Sequence, residues 1–286
     1  MQPRVQAFFD VATSTASYLV SDPATGDAAI IDPVLDLDPR GARLSAGSAD
    51  ALLAAVRDHG LTLRYVLETH AHADHLSAAD YIRRKTGAQV VIGAHITEVQ
   101  KQFIPTFEAD DVEDDGRAFD RLIQEGDILP LGGFQIGVLH TPGHTPACVT
   151  YLIGDTAFVG DTLFMPDYGT ARADFPGGDA ATLYRSTRKI LDLPAETRVF
   201  VGHDYLPPGR ETFQWETTVA EERARNIHVH EGVSEEDFVA MRRARDATLA
   251  PPALILPSLQ VNIRAGALPP TTPGGHVFLR LPVTPV

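Results

Sequence analysis

Four short apolar segments of this chain run directly into residues that can bind a metal ion. Tyr65-Val-Leu-Glu-Thr leads to His70, Phe134-Gln-Ile-Gly-Val-Leu leads through His140-Thr-Pro-Gly to His144, Thr156-Ala-Phe-Val-Gly leads to Asp161, and Arg198-Val-Phe-Val-Gly leads to His203. Apolar runs of this length, rich in β-branched and aromatic residues, read as buried strands. In open α/β sheets, ligand sites gather at the carboxyl ends of strands. Four strand ends carrying His, His, Asp and His therefore predict one site, assembled at one edge of a sheet structure.

The densest of these segments is Thr69-His-Ala-His-Ala-Asp-His75. On a helix, His70 and His72 would point about 200° apart, whereas on an extended segment they share a face. The strand before them is thus expected to deliver both to one place. Asp74 is a good N-cap residue, so a helix is expected from His75 or Leu76 to Lys85, ended by Gly87. Five of the 11 histidines, His70, His72, His75, His144 and His203, follow closely on these strands. Together with Asp74 and Asp161 they form a set that surface or core polarity alone does not account for.

The rest of the chain alternates strand and helix patterns, which implies sheets covered by helices. Residues 18–20 and 28–32 read as a hairpin across Ser21-Asp-Pro-Ala-Thr-Gly-Asp27, and 33–47 as a loop. Ser48 is the expected N-cap of a helix reaching Gly60. Helices are also expected over 94–103, 179–191, 215–227 and 234–246, with strands at 89–92, 134–139, 148–153, 156–159 and 198–201. The acidic stretch 105–120 reads as a solvated loop or as a lid over the site. The last twenty residues hold five prolines and are expected to wrap the surface or a partner chain.

Bulk properties narrow the chemistry. The single cysteine, Cys148, excludes an intramolecular disulfide and a multi-thiolate zinc site, so metal ligands must be nitrogen and oxygen. Cys148 lies in an alternating strand-like segment and reads as a buried residue rather than a nucleophile. The formal net charge of −14 repels phosphate backbones, so nucleic acid is not an expected partner. No apolar run approaches the roughly 18 residues of a membrane helix. Asp10 interrupts the only apolar stretch near the N-terminus, which does not read as a signal peptide; a cytoplasmic protein is expected.

The order His70-Ala-His72-Ala-Asp74-His75, Pro142-Gly-His144-Thr145, Gly160-Asp161, Gly202-His203 resembles the metallo-β-lactamase superfamily, over roughly residues 15–210. That resemblance implies an α/β fold of the αβ/βα type, two mixed sheets face to face with helices outside and metal at one edge. Within the superfamily the chain looks like the persulfide dioxygenases, in a bacterial branch. Ile31-Asp32-Pro33-Val34, Thr69 to His75, His144-Thr-Pro-Ala-Cys148-Val-Thr-Tyr151, Gly169-Thr-Ala-Arg172-Ala-Asp174-Phe175, His203-Asp204-Tyr205, Val219-Ala-Glu-Glu-Arg223 and Gln260-Val-Asn-Ile-Arg264 all resemble that family. The longer 105–120 loop and the extra residues 165–168 depart from its compact members and leave substrate preference open. The domain reading is residues 1–210 as a catalytic domain, with 211–286 as a helical extension and proline-rich tail packed on it.

The resemblance implies one Fe(II) per chain, held by His70, His144 and Asp161. Two imidazoles and a carboxylate on one face are the arrangement of non-haem iron oxygenases. His72, Asp74, His75 and His203 would then surround the ligands as catalytic supports. The implied reaction oxidises glutathione persulfide with O₂ to sulfite and glutathione. Arg172, Tyr205 and Arg210 are the expected substrate-binding residues, and Arg172→Ala is expected to raise KM. A homo-oligomer, dimer or tetramer, is implied. The competing reading is a glyoxalase II-type hydrolase of a glutathione thioester. There Asp74, His75, Asp161 and His203 hold a second metal of a binuclear zinc or mixed zinc–iron site. Spacing does not separate the two; Asp204, where that family carries Glu, favours the dioxygenase. A non-catalytic scaffold would have lost motif residues, and none is lost here. A nuclease is disfavoured by the acidic charge, and a β-lactamase by the missing signal pattern.

Overall fold

The computed structural model describes residues 2–283. Strand residues alternate faces, and that alternation builds four layers. The first sheet orders its strands Arg4–Asp10, Thr15–Ser21, Asp27–Ile31, Thr62–Leu67, Gln89–Gly93 and Arg121–Ile123. The second orders Ile128–Leu131, Phe134–His140, Val149–Ile153, Thr156–Phe158, Arg198–Phe200 and Glu216–Thr218. Both sheets mix parallel and antiparallel pairs. Ala16, Tyr18, Val20, Ile31 and Leu67 of the first sheet pack against Leu131, Val138, Tyr151, Phe158 and Phe200 of the second. The residues between them, such as Leu19, Ile30, Val66 and Val90, face outward onto Leu52, Ile82, Val99 and Phe103 of three helices. The outer face of the second sheet, Ala157, Val199 and Val201, packs on Leu183, Ile190 and Phe238. This is the expected αβ/βα sandwich.

Several local expectations need correction. A further edge strand, Arg4–Asp10, precedes the N-terminal hairpin. The 33–47 segment is not all loop: Val34–Asp38 pairs with Arg43–Ser45 and with Leu76–Ser77 as a small third sheet. The next helix starts at Gly47, and Ser48 is inside it, donating to Asp36 rather than capping. The helix after the histidine cluster begins at Ala79, not His75. Leu76 and Ser77 are taken up by the third sheet, and Asp74 is turned towards the site instead of capping. Gly87 does end that helix, in the left-handed conformation. The helix expected at 94–103 continues through Pro105 to Phe107, and 215–227 divides into strand Glu216–Thr218 and helix Val219–Arg225. Helix Ile255–Asn262 carries little amphipathic pattern, and the sequence alone does not predict it.

The site edge is stitched between the sheets. Val149 N–H donates to the Thr69 carbonyl, Ala16 N–H to the Gly202 carbonyl, and the Tyr151 hydroxyl to the Glu68 carbonyl. Helix Glu235–Asp246 packs on helix Ala180–Leu191, while Asn262 reaches the histidine loop. The tail beyond it has no regular structure among the described residues and leaves Phe278 and Leu281 exposed. No helix among them is long and apolar enough to cross a membrane.

Candidate metal centre

All four predicted strand ends converge. His70, His144 and Asp161 bring ligand atoms within 4.8 Å of one another, as do His72, Asp74, His75 and His203. Asp161 belongs to both neighbourhoods. Its Oδ2 lies 3.8 Å from His70 Nε2 and 3.6 Å from His144 Nε2, and its Oδ1 lies 3.4 Å from His203 Nε2. Two glycines of the motif are required by this crowding. A Cβ on Gly202 would stand 2.8 Å from Asp161 Oδ1, and one on Gly160, at φ +50°, 2.5 Å from Thr69 Oγ1.

The ring orientations are set from behind. His144 Nδ1 donates to the Arg172 carbonyl at 2.8 Å, and His203 Nδ1 to the Ser14 carbonyl at 3.1 Å. The Thr69 hydroxyl donates to Asp32 Oδ2 at 2.8 Å and so accepts from His70 Nδ1 at 3.0 Å. Each arrangement leaves Nε2 with its lone pair facing the cluster, as a metal ligand requires. The buried Nε2 atoms of His70, His75 and His203, and Oδ1 of Asp161, have no hydrogen-bond partner. Buried polar atoms are normally satisfied, and a cation here satisfies them. The donor set of imidazoles and carboxylates therefore fits a divalent metal.

Electrostatics agree at His70 and at Asp74. Burial pushes His70 well below the usual histidine range, and the neighbouring His72 and His144 push it further, so it is neutral. Burial works against charge on His203 too, but Asp161 and Asp74 outweigh it and raise that group. Burial is likewise outweighed at Asp74, which His203 and His75 hold well below the usual carboxylate range. His72 differs from its neighbours. Its ring centroid is 4.1 Å from that of His70, yet its Nε2 faces Asp32 Oδ1 at 3.1 Å and Glu68 Oε2 at 3.3 Å. The two histidines are thus delivered to one place, as expected, but aim at different partners.

A cleft of about 430 Å³ opens from His144, Asp74 and Asp161, and its wall includes Phe164, Tyr168, Tyr205, Arg172, Arg245 and Leu249. Tyr205 stacks near-parallel on His203, with 5.5 Å between ring centroids. Arg172 lines the cleft, but its guanidinium is engaged: it pairs with Asp174 and donates to the Ala250 carbonyl at 2.7 Å. Arg210 is not on the wall; it pairs with Asp204 and Asp167. Residues 105–120 do not line the cleft, and Asp111 of that stretch pairs with Arg264 instead. The 249–254 segment occupies the position a lid there would take. Cys148 is buried, accepts from Thr145 N at 3.3 Å, and is pushed by burial up to about 12.

Sequence reasoning missed Arg242, Arg245, Glu68 and Asn262. Arg242 and Arg245 are three apart on one helix face, a spacing visible in the sequence but uninformative without knowing what the helix meets. Arg242 is buried against Asp246, whose other oxygen accepts from Ala173 N at 2.9 Å. Arg245 lines the cleft and, among the described residues, forms no ion pair. Glu68 did carry a signal: an acidic residue closing a buried strand.

A sequence profile described as "Metallo-beta-lactamase superfamily" matches residues 11–203. The chain is 53% identical to a "probable metallo-hydrolase" of Burkholderia pseudomallei, over 98% of both chains. It is 43% identical to "Glyoxylase B2" of Dictyostelium discoideum, over 98% of this chain and 97% of that one. It is 32% identical to the human mitochondrial "Persulfide dioxygenase ETHE1", over 93% of this chain and 90% of that one. Among solved structures, ETHE1 from Myxococcus xanthus superposes with a TM-score of 0.74 at 34% identity, covering 92% of this chain and all of that one.

Proposed function

Since the chain belongs to the metallo-β-lactamase superfamily, we propose that it is an iron-dependent persulfide dioxygenase, oxidising glutathione persulfide with O₂ to sulfite and glutathione. The observation that carries this reading is the His70–His144–Asp161 set, with His144 and Asp161 on the wall of an open cleft and His72 Nε2 turned to Asp32 and Glu68 instead. The persulfide dioxygenase relatives support it. When bound, a ferrous ion would supply open positions for O₂ and a sulfur donor and a change of oxidation state, which zinc does not offer.

The chain's own residues do the rest. The Arg172 carbonyl and the Thr69–Asp32 relay hold His144 and His70 in ligand orientation. Tyr205, Tyr168 and Phe164 narrow the cleft over His203 and limit water at the sulfur. Tyr205 donates a hydrogen bond to the substrate. Arg172 supports the cleft wall beside the substrate. Arg210 acts at one remove, fixing Asp204 next to His203. The balance is one persulfide, one O₂ and one water giving one thiol, one sulfite and two protons. In this reading residues 1–210 form the catalytic unit and 211–286 close over it, in a cytoplasmic dimer or tetramer.

A second reading is favoured by one observation: His72, Asp74, His75 and His203 also form a cluster, and Asp161 Oδ1 points into it. That is a place for a second ion in a thioester hydrolase, and the "Glyoxylase B2" relative supports it. Anaerobic purification, a metal count, O₂ uptake with glutathione persulfide and S-lactoylglutathione cleavage separate the two. One iron with O₂ uptake supports the dioxygenase. Two metals with thioester cleavage and no O₂ uptake overturn it.

A further inference from the structure

His72 lies at the centre of the histidine loop, yet it is engaged from behind. His72, Asp32 and Glu68 form a third convergent group, each at most 3% exposed. Asp32 Oδ1 also faces His72 Nε2, at 3.1 Å, but Asp32 is shared, accepting as well from the Thr69 N–H and the Thr69 hydroxyl. The Oε1 of Glu68 accepts from the Ser77 hydroxyl, and its Oε2 faces only His72 Nε2, at 3.3 Å. A carboxylate so deeply buried is costly unless it is paired, so its placement opposite His72 calls for a role.

We propose that Glu68 is a positioning residue that withholds His72 from the ion held by His70, His144 and Asp161, leaving that ion three protein ligands. The inference rests on the single-ion reading of the site. The rings of His70 and His72 are neighbours, 4.1 Å apart at their centroids, so in this proposal a released His72 turns towards an ion on His70. A fourth imidazole would close one of the positions that an oxygenase keeps open. The hold on His72 is two-sided. Asn262 Nδ2 donates to the His72 carbonyl at 2.8 Å, and Asn262 Oδ1 accepts from Ser77 N at 2.8 Å, fixing the residue that in turn anchors Glu68. Backbone and ring are thus both referred to one side chain of the C-terminal helix.

The test uses the full chain reconstituted with Co(II), whose visible d–d absorption reports coordination number. Glu68→Ala is expected to change that band and to slow loss of the ion to a chelator by about tenfold, the scale of a ligand-shell change. The double variant Glu68→Ala with His72→Ala should return both to the wild-type values, because the added ligand is His72. Glu68→Gln keeps an acceptor opposite Nε2 and should retain the wild-type spectrum. Ser77→Ala frees Glu68 without opening a large cavity and gives the same reading if Glu68→Ala does not fold. A wild-type spectrum in Glu68→Ala and Ser77→Ala, or a change that persists in the double variant, overturns the proposal. The wild-type metal count is independent: two ions per wild-type chain overturn the single-ion reading, while the variant comparison still tests Glu68.

Discussion

Asn262→Ala tests whether the metal loop depends on the C-terminal helix. Asn262 is 4% exposed and makes three hydrogen bonds to the loop: Nδ2 to the His72 and His75 carbonyls, each at 2.8 Å, and Oδ1 from Ser77 N at 2.8 Å. Alanine removes all three and leaves the Ser77 N–H buried without a partner. At about 1 kcal/mol for each of the two bonds to carbonyls plus about 1–3 kcal/mol for the orphaned Ser77 donor, the loss is roughly 3–5 kcal/mol. For a chain of this size that corresponds to roughly 6–10 °C in Tm. The lost bonds hold the loop bearing His70, Asp74 and His75, so metal affinity should fall about 10–100-fold, as for other groups that orient ligands. Calorimetry of the metal-free and metal-loaded protein, with chelator competition, measures both. Asn262→Asp keeps the acceptor for Ser77 and loses the two donors, and should lie between. If Asn262→Ala moves Tm by less than about 2 °C and leaves metal affinity unaltered, the helix does not organise the loop and the reasoning fails.

Arg245→Ala should raise KM for an anionic thiol substrate with little change in kcat, since Arg245 is a cleft cation without an ion-pair partner among the described residues; steady-state kinetics at varied substrate decide it. Arg242→Ala strands the Asp246 carboxylate that holds Ala173 N and should cost about 3–5 kcal/mol in denaturant unfolding. Burial pushes Glu222 up to about 8. Its folded value therefore exceeds its unfolded one, so stability declines as pH rises from about 4.5 towards 8, and Glu222→Gln should flatten that decline in Tm-versus-pH curves. His228 is pushed down to about 4, by burial first and then by Arg242 and Arg245, and its Nδ1 accepts from Thr170 N. Its contribution is present above about pH 6.5 and is lost as pH falls towards 4, which acid titration of wild type against His228→Gln resolves. Cys148→Ser should retain most activity, as the buried thiol is held protonated and points at Thr145.

The strand ends are legible in the sequence because burial and chemistry coincide there: an apolar run must be covered, and a His or Asp directly after it must emerge at the sheet edge. That ground alone places His70, His144, Asp161 and His203, and the structure brings them together. The helix start after His75 is misplaced by sequence because Asp74 satisfies a local capping rule that a tertiary partner overrides. Asp74 Oδ2 lies 3.2 Å from His203 Nε2, an interaction across 129 positions of chain that no local pattern encodes. Arg210 shows the same logic in reverse. It is close in sequence to His203, but Asp204 and Asp167 take its guanidinium. Sequence proximity to a site residue says little about where a long side chain points.

Some supports of the site come from beyond the segment that defines the family, while the groups that orient the rings lie within it. The profile match ends at residue 203, and the candidate metal ligands lie within it. Yet Asn262 holds the loop of His72 and His75. Asp246 holds Ala173 N, in the loop whose Arg172 carbonyl orients His144. Arg172 in turn donates to the carbonyl of Ala250, within the cleft wall. A chain cut near residue 210 would keep every ligand and lose all three supports. Such supports normally govern metal affinity and ring orientation nearly as strongly as the ligands do. The C-terminal segment thus steadies the backbone of the histidine loop and forms part of the cleft wall. In this chain Asn262 of the last helix and the buried Glu68 meet on the same loop through Ser77.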